Sequence, residues 1–575
     1  MYFSDAHWKR LYELRSVQLV RNAEVARLEE RAAKAKQAVI SLNEQIDFLA
    51  AHFSGDEVSY RNATLNKVRA LTLADQADQA VAVYESLALP KEKVPAWGLA
   101  IAADAYLKNR QPEEALDLAS YAMSHYEKDL NILSIVFFSY LDLEDYNNAA
   151  QVMDQMNHII KGREVSNGRA HWVARLDAMF EAYQNRLSLA EHLLEDLKQQ
   201  APNDPEIDMN LATIYRWRGW ANKSLETLNE IPGTAVDNVA LEAGKAHALL
   251  DQHSYTRAEK IIDELADDYM YHPDAQAINE RWRIHNLRQY TADVMYGESS
   301  GNTFGNEELL FEQRLYSSPI NNHYRLYARH RYNYAEFPEG NGYLNRIGIG
   351  GEYRSKTLDA TAELNASTRD STDPGISVSG VWKLDDYLSF SAEVQSYSDL
   401  TPLRAINDDV EASSAVLGVR YRWNENRYAR ISGGYLDFDD GNDRKFIFIK
   451  HQHGIYQSAY HRFSLSQEFY ASQNDDIDTF YYNPEEDYSF RGAVIYDGLI
   501  WRRYEEEWTH RLTLGGGNYK QKSESNAGIW DLEYIQRWQL DPTFEIRYGY
   551  IHRRRTYDGE GESFNAGIAN LNWRF

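Results

Sequence analysis

The 575 residues include no cysteine, which excludes disulfides and thiolate metal sites and suits an envelope protein that avoids accidental oxidation. No run of about 18 apolar residues occurs, so a transmembrane helix is excluded. The most hydrophobic stretch, around Leu130 to Leu143, is too short. A basic half is also missing. The formal net charge of −26 divides evenly, about −13 on each side of residue 290. Neither side therefore wraps nucleic acid, and the field favours cationic partners. An apolar share of 43% excludes global disorder.

Catalytic motifs are lacking as well. His451-Gln-His453 has the spacing of a strand-borne metal pair but no third ligand, and a strand near a rim accounts for it. Gly348-Ile-Gly-Gly351 and Gly515-Gly-Gly517 have no strand-to-helix context, so they read as glycines that let strands bend. Asp531 and Glu533 share a face, but ion pairing with Arg537 or Arg547 explains them without chemistry. No serine nucleophile with a placed histidine is found. No enzyme activity, cofactor or metal is expected.

What is present falls into two halves, expected as residues 1–285 and 290–575. In the first, a period near 34 residues appears: Ala80, Ala115, Ala149, Ala190, Ser224 and Ala258 recur at steps of 35, 34, 41, 34 and 34. Tyr106, Tyr140, Tyr215 and Leu249 hold a second recurring position. This is tetratricopeptide spacing, a large residue late in one helix and a small one early in the next, where the helices cross closely. Pro202, Pro205 and Pro273 act as terminators. Helix pairs are expected at 61–90, 96–128, 130–158, 171–202, 205–231 and 239–271, forming a curved solenoid with a concave face. The aromatics here read as repeat core, although Trp97, Trp172 and Trp217 are also groove candidates. His125, His158 and His192 are too scattered to be ligands, and segment 8–50 is too irregular for a coiled coil.

After Tyr290 the period changes to two. Strands are expected near 290–299, 308–317, 321–334, 343–355, 357–368, 374–384, 386–397, 412–424, 426–437, 442–452, 456–471, 488–497, 500–519, 525–540, 543–555 and 562–575. Sixteen is an even number, which closes an up-and-down outer-membrane barrel with both termini on one side. Joins from even to odd strands are tight (Ser355-Lys356, Asp385-Asp386, Asn424 to Asn426, Asp541-Pro542), and those from odd to even are longer, notably 398–411 and 472–487. The short-turn rim, with the solenoid attached, is then periplasmic.

Alternation assigns the faces. Leu358, Ala360, Ala362 and Leu364 point out, Asp359, Thr361, Glu363 and Asn365 in. Phe544, Ile546, Tyr548 and Tyr550 point out against Glu545, Arg547 and Gly549. Trp530, Leu532, Tyr534 and Trp538 point out against Asp531, Glu533 and Arg537, and the closing strand sets Leu571, Trp573 and Phe575 against Asn570, Asn572 and Arg574. A misplaced charge at the lipid midplane costs about 2–4 kcal/mol, so the register is pinned. Arg325, Arg329, Arg331, Arg420, Arg422 and Arg462 also point in, giving a lumen of mixed charge. Surplus acid lies in the long loops: Asn407 to Glu411, Asp437 to Asp440, and Asp475, Asp476, Asp478, Glu485, Glu486 and Asp487. A channel of this strand number admits a hydrated polymer. Its expected contacts are those last six residues with Tyr481, Tyr482, Asp359, Glu363, Asp531 and Glu533, although most tyrosines read as interfacial girdle.

Tyr481-Tyr-Asn-Pro484, Ile500-Trp-Arg-Arg-Tyr-Glu-Glu-Glu-Trp508, Gln536-Arg-Trp-Gln-Leu540, Arg554-Arg-Thr-Tyr-Asp-Gly559 and Asn572-Trp-Arg-Phe575 together resemble the poly-β-1,6-N-acetyl-D-glucosamine export porin family of Gram-negative biofilm formers. The resemblance covers the two-part architecture and is most specific over about the last 95 residues. It implies an outer-membrane barrel exporting partly deacetylated, hence partly cationic, exopolysaccharide, with a periplasmic repeat region that docks the polysaccharide deacetylase. Export of another exopolysaccharide such as cellulose, or a periplasmic scaffold anchored by its barrel in outer-membrane lipid, are the alternatives. Met1 to Arg10 lacks the apolar core and cleavage site of a signal peptide. The chain is therefore expected to start downstream of its true beginning, its first 50 residues a helix entering an array already under way.

Overall fold

The computed structural model describes residues 4–161, 167–233, 236, 238–301, 303–367 and 374–575. Position 368, where the fifth expected strand ends, lies outside the described residues.

Among the described residues, fifteen helices precede the first strand. They form pairs: α1 (Asp5–Glu24) with α2 (Leu28–His52), α3 (Glu57–Leu73) with α4 (Ala77–Glu85), α5 (Ala96–Lys108) with α6 (Pro112–Met123), and α7 (Leu130–Asp142) with α8 (Tyr146–Lys161). Next come α9 (Asn167–Tyr183) with α10 (Leu187–Gln200), α11 (Pro205–Trp217) with α12 (Ala221–Glu230), α13 (Asn238–Asp251) with α14 (Tyr255–Asp268), and the single α15 (Pro273–His285). The five recurring alanines are all fully buried and Ser224 is 1% exposed, because that position sits where paired helices touch. Pro205 and Pro273 do more than end the preceding helix: each occupies the first turn of the next, where its missing N–H costs nothing. The first 50 residues differ from expectation. They form two helices packed together rather than one, turning between Glu24 and Leu28.

The strands are β1 (Gln289–Ser299), β2 (Glu307–Tyr316), β3 (Tyr324–Phe337), β4 (Gly340–Arg354), β5 (Leu358–Ser367), β6 (Gly375–Lys383), β7 (Leu388–Gln395) and β8 (Ala412–Asn424). They continue with β9 (Arg427–Phe438), β10 (Asp443–Gln457), β11 (His461–Asn474), β12 (Glu486–Arg503), β13 (Glu506–Gln521), β14 (Ala527–Asp541), β15 (Phe544–Tyr557) and β16 (Glu560–Arg574). Each pairs antiparallel with its sequence neighbours, and β1 pairs β16 from Gln289↔Arg574 to Ser299↔Phe564, closing the barrel. Arg288 and Phe575 extend the seam by exchanging two backbone hydrogen bonds.

Three expectations about connections are corrected. Two odd-to-even joins, at 338–339 and 558–559, are as tight as those on the opposite rim, because β3, β4, β15 and β16 stay paired beyond their expected ends. The even-to-odd join 317–323 is long, and it reaches the solenoid through Asn322, which donates to Glu259 (2.6 Å). The turn expected at 498–499 lies instead at Tyr504–Glu505. Tyr504 takes a φ of 53° there, so neither glycine nor asparagine marks the place in the sequence.

The solenoid lies along the short-turn rim as a collar. From α3/α4 to α13/α14, the six helix pairs each turn through a residue of positive φ: Asp75, Arg110, Glu144, Asn185, Gly219 and His253, five residues before each buried small residue. Five of these six turns touch the barrel. Arg110 grips Glu505 with two hydrogen bonds (2.8 and 2.7 Å), Glu144 accepts two from Arg502 (2.7 and 2.9 Å), and Asn185 donates to the carbonyl of Ser458 (3.2 Å). The carbonyl of Gly219 accepts from Arg422, and His253 meets Asp359 (2.9 Å). A rim carboxylate even caps a solenoid helix: Asp386 accepts from the backbone N–H groups of Asn222 (3.0 Å) and Lys223 (3.1 Å) at the start of α12. The array then comes round on itself, with α2 against α13 and the Lys36 ammonium 5.0 Å from the Tyr271 ring centre. A cleft of about 1440 Å³ remains at this seam, lined among others by Asp78, Arg281 and Asp541.

Candidate conduit through collar and barrel

Along β5 and β14 the alternation places Leu364 and Trp530 outward, 55% and 46% exposed, and Glu363 and Asp531 inward, each 6% exposed. Inward arginines reach these carboxylates across neighbouring strands. Arg329 donates to Glu312 (2.8 Å), Glu363 (3.3 Å) and Asp399 (2.7 Å), and Asp399 also holds Arg331 (2.9 Å) and Arg346 (3.0 Å). A second cluster joins Arg491 to Asp531 (2.7 Å) and Glu468 (3.1 Å), with Lys450 on Glu468 (2.8 Å). A third joins Arg537 to Glu507 and Glu545, and Arg547 to Glu545. A buried charge is costly unless paired, so these ladders neutralise the wall.

The pairing expected for Asp531 is corrected: its partners are Arg491 and Arg555, not Arg537 or Arg547. The cause is local. Gly515 lies directly opposite Asp531, and a Cβ there would come within 2.6 Å of the Arg491 guanidinium. The glycines read as bending residues thus clear room for side chains. Gly348 does the same for Glu363, which a Cβ would approach to 2.7 Å.

Two loops cover the far mouth. The loop after β7 folds inward through α16 (Leu403–Asn407), with Asp399 as its anchor on the lumen wall. Burial would raise the carboxyl pKa of Asp399, but Arg331 and Arg329 outweigh it and hold it below the usual range. The loop after β11 is pinned by adjacent tyrosines. Tyr481 is buried with Ala405, Ala412, Leu436 and Phe438, stacks on Phe438 (5.2 Å) and donates to Asp440 (2.9 Å). Tyr482 turns the other way, against Tyr557 (5.0 Å) and Phe304 (6.1 Å). Ala405 and Tyr481 share one apolar cluster, so the two loops pack on each other.

The expected contact residues fall in three places. Asp476, Asp478 and Glu486 are exposed on the mouth, as is Asp475, whose carboxylate accepts from the Asp443 N–H (3.1 Å). Glu485 pairs with Lys522, Asp487 is buried against Ser472, and Tyr481 and Tyr482 are the pins just described. Glu363, Asp531 and the half-buried Glu533 lie along the lumen. Asp359 sits at the collar junction with His253 and Lys383 (2.7 Å). They are spread from the collar junction along the lumen wall to the far mouth rather than gathered at one site. Sequence reading missed Asp399 and the collar turns, although the steps of 35, 34, 41, 34 and 34 pass through Asp75, Arg110, Glu144, Asn185, Gly219 and His253 too. Among the groove candidates, Trp97 and Trp172 pack on the repeat core and Trp217 lies 6.0 Å from the Tyr183 ring. His451 and His453 stack on the outer wall, and no metal-binding cluster is found among the described residues.

Residues 284–575 match the family described as the PgaA membrane beta barrel domain. The chain is 25% identical over 518 residues to the poly-beta-1,6-N-acetyl-D-glucosamine export proteins of Escherichia coli strain K12 and of Escherichia coli O157:H7, covering 88% of this chain and 64% of each relative. It thus spans under two thirds of the length of these curated relatives. Among solved structures, a bacterial polysaccharide outer membrane secretin aligns at 26% identity over 51% of this chain and 99% of its own, with a TM-score of 0.48. A tetratricopeptide repeat protein from Parabacteroides merdae aligns at 15% identity over 46% and 98%, with a TM-score of 0.36. With just over half of its length matched, the chain belongs to the PgaA membrane beta-barrel family and is an outer-membrane β-barrel with a helical repeat collar on its periplasmic rim.

Proposed function

We propose that the chain exports poly-β-1,6-N-acetyl-D-glucosamine, partly deacetylated, through the collar and the barrel lumen, and that the collar guides the polymer and docks the deacetylase that modifies it. One observation carries the reading: the repeat array docks by its turns on the rim and returns on itself, which sets the collar around the periplasmic end of the barrel. The named relatives are export proteins of this polymer. A polymer bearing amines gains weakly from each close carboxylate in water, about 1 kcal/mol per pair, screened beyond roughly 8 Å. Many such contacts along one chain add up. The carboxylates free to supply them are those outside the arginine ladders, above all Asp476, Asp478 and Glu486 at the mouth.

Converting Asp475, Asp476, Asp478, Glu485, Glu486 and Asp487 to Asn or Gln tests the charge reading. Surface polymer should fall in a correctly inserted variant while small-ion conductance is kept. Wild-type export would show that the loop is merely solvated. A second reading, a barrel that only anchors a periplasmic scaffold, is favoured by the loops packed over the mouth. Absence of single-channel current and of polymer export together would decide for it.

A further inference from the structure

We propose that the outer wall of the barrel from β2 to β6 carries a binding groove for one phospholipid of the periplasmic leaflet, with its phosphate on Arg288 and an acyl chain laid across the strands. The register builds the groove. Leu315, Ala328, Ile349, Leu364 and Ile376 are direct cross-strand partners in succession, forming one outward row perpendicular to the strands. The adjoining row runs Leu326, Gly351, Ala362 and Val378, and its two central members are too small to fill the wall. A depression of about 910 Å³ results, lined mainly by apolar atoms, with Tyr327 and Glu363 also reaching its wall. Elsewhere the same wall carries large rings, such as Trp508 and Trp538 with centres 4.7 Å apart.

The dimensions suit a lipid tail. Four inter-strand gaps from β2 to β6 span about 19 Å, against about 15 Å for one leaflet of a typical hydrocarbon core. The polar end suits a headgroup. Gln289 turns its side chain to Asn572 in the lumen (2.9 Å), so Arg288, one residue earlier, lies on the outer side, exposed, at the rim where the collar docks. Arg288, Ser317 and Phe575 line the groove at that end. No ion pair to Arg288 is found among the described residues. A cationic side chain at the interface, with donors to spare and an apolar trough leading away, fits an anionic phosphate ester carrying a chain.

The test uses the full chain, extracted in mild detergent after incubation with vesicles of phosphatidylethanolamine and phosphatidylglycerol, and native mass spectrometry. The wild type should retain one phospholipid. The double variant A328L/A362L, which fills the trough, should lose it, and R288Q should retain it about fivefold less, the loss expected for one interfacial cation. A360L, lipid-facing but outside the groove, should behave as wild type. Retention unchanged in A328L/A362L, or lost equally in A360L, overturns the proposal. So does a wild type that carries no phospholipid, or only lipopolysaccharide. Should A328L/A362L fail to reach the heat-modifiable folded form, a phospholipid with a photoreactive acyl chain decides on the wild type. Adducts at Leu326 or Ile349 support the groove, and adducts spread evenly round the barrel overturn it.

Discussion

Arg110 and Glu505 are separated by 395 residues, yet they meet through two parallel hydrogen bonds, 2.8 and 2.7 Å, that join a solenoid turn to a barrel turn. Arg110 holds a φ of 59°, which favours glycine. Its side chain offsets that strain at the rim.

Replacement of Arg110 by glycine separates the two effects. The backbone relaxes by about 1 kcal/mol, whereas loss of a largely exposed pair costs no more than about 1 kcal/mol. The overall unfolding midpoint should therefore hardly move, while amide exchange at 503–506 accelerates. Unchanged exchange there would mean that the pair does not secure the collar.

Acidification should weaken the same contact in a defined window. Hydrogen bonding to Arg110 lowers the Glu505 pKa below its ordinary value. A depressed carboxylate contributes stability that is complete above the unfolded-state pKa and lost as pH falls through the folded one. Opening of 503–506, read as exchange corrected for its intrinsic pH dependence, should thus stay constant from pH 7 to 5 and rise only below about 4.3. In R110G the rise should vanish.

A second acid response belongs to the collar itself. Burial, then Arg216 and Arg281, push the His247 imidazole down to about 3. It stays neutral when folded but takes a proton when unfolded once pH drops below about 6.5. Between pH 7 and 5 this removes up to about 2 kcal/mol of collar stability. Thermal unfolding of the helical signal should show the loss, and H247Q should reduce its pH dependence to the part left by His285, whose imidazole burial also pushes down to about 4; an equal slope in the variant would contradict the assignment.

Loop anchoring rests on Arg329. Removing one member of a buried ion cluster costs about 3–5 kcal/mol because the others are left uncompensated. R329A should free the Asp399 loop, seen as larger single-channel current and faster proteolysis within 396–411. Wild-type current with intact loops would show that Arg331 and Arg346 suffice.

The orientation is tested by D476C, which adds one exposed thiol to a chain without cysteine. An impermeant reagent should label it on whole cells. Labelling only after the outer membrane is opened would reverse the orientation.

Much of this architecture was written in local patterns. The steps through Ala80, Ala115, Ala149, Ala190, Ser224 and Ala258 reflect helix crossings too close for larger side chains, and the alternation in Leu358 to Leu364 reflects lipid on one side and water on the other. Both arise between near neighbours in the chain, so the sequence by itself determined the repeat type, the strand count and each strand's faces. What pairs with what across the fold was decided by tertiary structure. Arg491 reaches Asp531 because Gly515 leaves space between them, Tyr481 and Tyr482 pin one loop in opposite directions, and Arg110 finds Glu505 because the array bends along the rim. A periodicity of 34 or of two residues carries no information about such meetings. They depend on the curvature summed over the whole collar and on the closure of sixteen strands, and only the assembled chain sets these.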